Sequence, residues 1–201
     1  MEITTEITTE ITTEITNLQI VKMKDDIENG GWGAVIKRSL KPSQFYVIEK
    51  KPEIASSFYY SLVEPTIVFT LTKSAPVFLL ELLLLRVEPL DEDLSKKKRM
   101  ERAQTGGFNV DDLCKQINVL ENRPMWIDDS EIQSITELCE KCRRMKKERH
   151  IQYVVIDDFL NAPIPQSVLE GLEAPDANYK QLSQLAKELD IVVVALLDPS
   201  I

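Results

Sequence analysis

The chain has 201 residues, 43% hydrophobic and 28% charged, with 24 Lys and Arg against 33 Asp and Glu for a net charge of −9. Such a composition excludes a chain that is disordered throughout. The acidic balance excludes a surface that wraps nucleic acid on all sides, because affinity for phosphate depends on cations.

The length suits one α/β domain with a single core and appendages. Three cysteines and no apolar leader after Met1 predict a reducing, cytoplasmic setting. The most apolar stretch, "VFLLELLLLRV" at 77–87, is interrupted by Glu81 and falls well short of the roughly 20 residues a membrane span needs. It predicts a buried helix and no membrane partner.

In chain order, the first sixteen residues repeat Ile-Thr-Thr-Glu with a period of four. As a strand, Ile3, Ile7, Ile11 and Ile15 point one way and every Glu the other, and β-branched residues favour that state. Two readings stand side by side: a low-complexity tail without a role, and an arm that pairs with itself or a neighbour.

Past Gly30, Gly31 and Gly33, apolar runs at 45–48, 66–71, 124–127, 152–156 and 191–197 read as strands buried on both faces, with helical segments between them. That alternation predicts a parallel sheet covered by helices. Three helices are well marked. Ser74 can cap one running through Arg86, with Pro76 in its first turn. "SITE" at 134–137 is a capping box ahead of an apolar face of Leu138, Cys139, Cys142 and Met145. Leu182, Leu185, Ala186 and Leu189 mark a third. The charged stretch 89–112 reads as loop with a short helix, and the proline-containing stretch 161–178 as an irregular loop following the strand that ends in Asp157.

"RPMWIDDSEIQSITELCEKCRRMKKERHIQYVVIDDFLNA" from 123, "QLSQLAKELDIVVVALLD" from 181, "SLKPSQFYVI" from 39 and "IVFTLTKSAPVFLLELLLLRV" from 67 together resemble the C-terminal motor domain of DnaB-type replicative helicases. The resemblance implies an α/β, RecA-like three-layer fold with a mainly parallel central sheet over residues 26–201, preceded by the low-complexity arm at 1–25. It also implies descent from a hexameric, ATP-driven machine.

Four positions test how much of that machine survives. A working phosphate loop reads G/A-x-x-x-x-G-K-[ST], so that bare backbone N–H groups cradle phosphates and a lysine reaches the terminal ones. The matching stretch, "EKKPEIASS" at 49–57, puts Glu49 at the first small residue, Ile54 at the glycine, Ala55 at the lysine and Ser56 at the metal-binding hydroxyl. Only Ser56 is chemically suited, with Lys50 or Lys51 as a distant substitute for the lysine.

The resemblance places the family's catalytic glutamate at Thr72, which is no general base at neutral pH. It places the nucleotide-sensing glutamine at Asp198. The chain also stops at Ile201, before the region that supplies the family's arginine finger. Asp157 matches the aspartate that positions metal, here with no phosphate site to serve. An unpaired buried carboxylate would cost several kcal/mol, so this one should be exposed, hydrogen-bonded or protonated. Residues 157–179 contain no Lys or Arg, which removes the cations that would line a DNA channel.

The remaining features have plain readings. Cys139 and Cys142 lack the second pair a zinc site needs and read as core. The stripe from Lys141 to Arg149 reads as a solvated face or a docking surface, "KKKR" at 96–99 as loop, and His150 as a turn residue.

The expectation is therefore a catalytically inactive protein with no catalytic or metal-binding residue and no cofactor, Ser56 and Asp157 retaining at most residual contacts. Its partner would be a protein, either a replicative helicase or further copies of itself, and nucleic-acid binding would be weak or absent. The alternative is a divergent ATPase or helicase domain that binds ATP and Mg through an unusual phosphate loop.

Overall fold

The computed structural model describes residues 39–50, 52–87, 110–159 and 174–197. The Ile-Thr-Thr-Glu arm, "KKKR" at 96–99, most of the loop after Asp157 and Asp198 lie outside the described residues, as do Lys51 and the side chains of Glu49 and Ile54.

Five strands form one parallel sheet: β1 (Gln44–Glu49), β2 (Thr66–Thr70), β3 (Met125–Asp128), β4 (Tyr153–Asp157) and β5 (Val192–Leu197). Their order is β1-β5-β4-β2-β3. β2 and β4 are buried at every residue, which is why they read as unbroken apolar runs rather than as alternating ones.

Among the described residues five helices cover the two faces: α1 (Pro52–Ser61), α2 (Ala75–Val87), α3 (Val110–Glu121), α4 (Ile135–Arg149) and α5 (Ala174–Leu189). Alternate strand residues feed opposite cores. Ile67, Phe69, Val154, Ile156 and Val193 pack with Leu138 and Cys142 of α4 and Leu182 and Leu185 of α5. Val68, Val155, Val194 and Leu196 pack with Phe58 and Tyr59 of α1 and Phe78 and Leu82 of α2. The result is the three-layer α/β arrangement expected from the sequence.

The capping box at the start of α4 forms with one difference. Ser134 accepts from the backbone N–H of Glu137 at 3.2 Å, but the Glu137 carboxylate reaches the N–H of Gln133 rather than that of Ser134. At the other end His150 closes the helix in the left-handed region at φ 53°, donating its N–H to the carbonyl of Lys146. The first N–H of α2, on Ala75, is accepted at 2.8 Å by the carboxylate of Asp129 from the end of β3, a cap the local sequence around Ser74 does not announce.

Three helix boundaries depart from the sequence reading. α1 occupies most of what reads as a phosphate loop, because Pro52 is preorganised for a first helical position. α3 is a full helix beyond Asp112, poorly marked because most of its surface is exposed or half-exposed. α5 begins at Ala174, inside the expected irregular loop, with Pro175 accommodated in its first turn.

Candidate functional site at the carboxyl ends of the strands

Parallel strands all deliver their carboxyl ends to one edge of the sheet, the edge where open α/β folds place their ligands. Lys50 follows β1, Thr72 and Lys73 follow β2, and Asp157 and Asp158 close β4. β4 runs one residue further than its apolar run predicts, so Asp157 is itself a strand residue, in register with Thr70.

Asp157 is fully buried. One carboxylate oxygen, Oδ2, accepts from Lys50 Nζ at 2.7 Å and lies 3.4 Å from Lys73 Nζ. The other, Oδ1, accepts from the Tyr59 hydroxyl at 3.0 Å. Of the three states anticipated for this carboxylate, hydrogen-bonded is the one observed, and exposure is ruled out.

Asp158 sits at φ 55°, in the left-handed region that an aspartate tolerates better than most residues. That turn points its carboxylate back to the same cluster. It accepts from Lys50 at 2.7 Å and from the Thr72 hydroxyl at 3.0 Å, and lies 3.1 Å from Lys73. Lys73 also donates to Glu81 of α2 at 2.9 Å.

The electrostatics are mutual. Burial opposes ionisation of Asp158, but the hydrogen bond and charge of Lys50, with Lys73 behind them, pull its carboxyl down to about 2. Burial likewise opposes the charge on Lys73, yet Asp157, Glu81 and Asp158 outweigh it and hold the ammonium above its ordinary value. Burial, and next to it the Asp157 charge, push the Tyr59 phenol well up, so Tyr59 remains a donor.

Lys50 is held in place by its own backbone, whose N–H donates to the carbonyl of Leu197 at the end of β5 at 2.6 Å. Its side chain crosses β5 to reach β4. Sequence reasoning offers Lys50 only as a distant candidate for phosphate contact, and it misses Lys73, Tyr59 and Glu81 altogether. The available signal is positional: Lys50 and Lys73 each stand just beyond the end of a predicted strand.

The phosphate segment is the other half of the site. β1 ends at Glu49 and α1 begins at Pro52, so only two positions separate strand from helix. Ala55 is 3% exposed and packs in the core with Phe58 and Tyr59. Ser56 is buried on the same helix, and its Oγ has no hydrogen-bond partner among the described residues. It is not among the groups bonded to Asp157 or Asp158.

Three described features bear on an Mg-nucleotide at this edge. The unbonded Ser56 hydroxyl suits one. Against it, both carboxylates are filled by ammonium groups, and a methyl group in the core stands at the matched lysine position.

The basic stripe of α4 is largely spoken for. Lys141 bonds to Ser130 and lies 3.4 Å from Asp128. Arg143 makes a two-pronged pair with Glu188 of α5 at 2.7 and 2.8 Å. Lys146 donates to the carbonyl of Ile151, and the Arg149 guanidinium lies 5.7 Å from the centre of the Trp126 ring. Cys139 and Cys142 face the core as expected, and burial pushes both thiols up, Cys139 to about 11. No helix among the described residues is long and apolar enough to cross a membrane.

A parallel sheet in this order, covered on both faces and ending in an aspartate on its central strand, has the RecA-like three-layer fold. The sequence places it more narrowly: residues 38–198 match the family model for the DnaB-like helicase C terminal domain, and the chain belongs to that family.

Among curated proteins it is 27% identical over 169 residues to the replicative DNA helicase DnaB of Buchnera aphidicola subsp. Baizongia pistaciae, covering 78% of this chain and 35% of that protein. It is 36% identical over 80 residues to the replicative DNA helicase DnaB of Rhodothermus marinus, covering 38% of this chain and 8% of that one. The chain thus spans about a third or less of the length of these relatives.

Among solved structures, one described as an ATPase domain superposes with a TM-score of 0.62 at 18% identity, over 89% of this chain and 69% of that one. A DnaB-like replicative helicase, described with its interactions with primase, superposes with a TM-score of 0.56 at 16% identity, over 89% of this chain and 47% of that one. At these identities the superpositions establish the fold.

Proposed function

We propose that this chain is a non-catalytic member of the DnaB-like family that works in the cytoplasm by binding another protein in DNA replication. Its partner is a replicative helicase ring or further copies of the chain itself. The observation that carries the reading is Ala55: the position matched to the phosphate-binding lysine is a methyl group in the core, on a helix that begins only two positions after β1.

Thr72 supports the same reading, since its hydroxyl is engaged with Asp158 and it is no general base. The stretch 157–179, free of Lys and Arg, supports weak or absent DNA contact. A protein partner is consistent with the DnaB-like helicase whose structure is described with primase.

Thermal melting with and without millimolar Mg-ATP tests the reading. A ligand at 100 times its Kd adds about 2.7 kcal/mol, on the order of 5–10 °C for a domain of this size. The expected result is no shift and no hydrolysis, together with co-purification of a replicative helicase ring or self-association.

A second reading, a divergent ATPase, draws on the unbonded Ser56 hydroxyl and on Lys50, whose ammonium reaches the matched metal-site aspartate from the strand side of the phosphate segment. A midpoint rise with Mg-ATP that disappears in Asp157→Ala would establish it instead.

A further inference from the structure

The two lysines reach the aspartate pair from opposite sides. Lys50 comes from the end of β1 and Lys73 from the end of β2, with β4 between them in the sheet. Each ammonium contacts both aspartates: Lys50 at 2.7 and 2.7 Å, and Lys73 at 3.4 and 3.1 Å. Lys73 also holds Glu81 at 2.9 Å. Two ammonium groups thus neutralise a carboxylate pair that includes Asp157, the residue matched to the family's metal-positioning aspartate.

We propose that Lys50 and Lys73 act as covalently tethered counter-ions in the place of a divalent cation, so that the end of β4 is held without metal and takes up none. This rests on the non-catalytic reading of the same site and deepens it.

The physical case rests on competition for the same oxygens. Mg²⁺ requires oxygens at about 2.0–2.1 Å in near-octahedral array and sheds its water reluctantly. To reach Asp157 Oδ2 it would have to expel Lys50, leaving an ammonium that is 16% exposed facing a second positive charge. The lysines carry no such penalty. They are attached to the chain, they are already desolvated, and three carboxylates hold Lys73 in its charged form.

The tether also has a mechanical consequence. The ammonium of Lys50 ties the start of the phosphate segment to β4, a link that a free ion would make only while bound. Lys50 therefore links the end of β1 to the end of β4 across β5 without needing a bound ion.

The test uses the full chain and the metal alone as probe. The wild-type midpoint is expected to be the same in EDTA and in millimolar Mn²⁺ or Mg²⁺. The double variant Lys50→Met and Lys73→Met, which leaves Asp157, Asp158 and Glu81 without these cations, should melt lower in EDTA. It should then recover on the order of 5 °C or more with Mn²⁺. Asp157→Asn in that background should abolish the recovery.

Should the double variant not fold, reductive methylation of the wild type decides the point. Lys50 and Lys73 are expected to react about tenfold or more slowly than Lys115, whose side chain is 70% exposed, and Mn²⁺ should not change their rates. A metal-dependent rise in the wild-type midpoint, a folded double variant indifferent to Mn²⁺, or methylation of the two lysines as fast as Lys115 would each overturn the inference. A wild-type response to Mg-ATP without one to metal alone would instead overturn the non-catalytic reading and leave the tethered counter-ions standing.

Discussion

The same tripeptide, Ile-Asp-Asp, closes two strands of this sheet, and the two copies have different fates. Ile156-Asp157-Asp158 ends β4, a central strand, while Ile127-Asp128-Asp129 ends β3 at the edge. At β4 the carboxylates are 0% and 9% exposed and share two lysines drawn from the ends of other strands.

At β3 the side chain of Asp128 is 23% exposed and is held mainly by near neighbours, Ser130 and the more distant Lys141. Burial opposes its ionisation, but the Ser130 hydrogen bonds and Lys141 outweigh it and keep the carboxyl below its ordinary value. Asp129 is exposed and serves as a helix cap for α2. The same tripeptide thus takes its partners from distant strand ends at the centre of the sheet and mainly from its own chain neighbours at the edge.

The sharpest way to break this comparison is to remove one acid from each end. Asp157→Ala leaves two poorly solvated ammonium groups short of a partner and is expected to cost about 3–5 kcal/mol, a fall of roughly 6–20 °C in midpoint. If Asp128→Ala cost as much, the contrast between centre and edge would be wrong.

Asp129→Ala should cost about 1 kcal/mol, the usual value of a lost cap, and Asp129→Asn, which keeps an acceptor oxygen at the same reach, should recover most of it. Asp128→Ala is expected at or below about 1 kcal/mol, because its pairing is partly exposed and its main acceptor role is local. All four can be read from chemical or thermal melts under identical buffer.

The smallest effect concerns the thiols on the core side of α4. Cys139 is raised from 9.0 to about 11 by burial, so the folded state binds its proton more tightly than the unfolded chain does. Its contribution to stability is therefore intact below pH 9 and fades as pH rises toward 11. At pH 8 in native buffer, alkylation followed by mass measurement should add one adduct, at exposed Cys114, and should add three after denaturation.

Much of the fold is legible in the sequence. The runs Tyr153–Ile156 and Val192–Leu197 are apolar, β-branched and too short for helices, and only a sheet covered on both faces can bury them. Ser134 and Glu137 announce the start of α4 because a capping box is a local device. α1 escapes notice because a family pattern suggests a loop at a place where Pro52 and a buried Phe58 and Tyr59 favour a helix.

Of the site, the chain by itself determined which chemical groups exist: an aspartate pair after a central apolar strand, alanine where the resemblance calls for lysine, and threonine where it calls for glutamate. Tertiary structure alone decided their pairing. Lys50 and Asp157 are 107 positions apart in the chain yet 2.7 Å apart in space, because β1 and β4 both flank β5 in a parallel sheet. Strand order is a property of the whole packed core, and no local window of residues contains it.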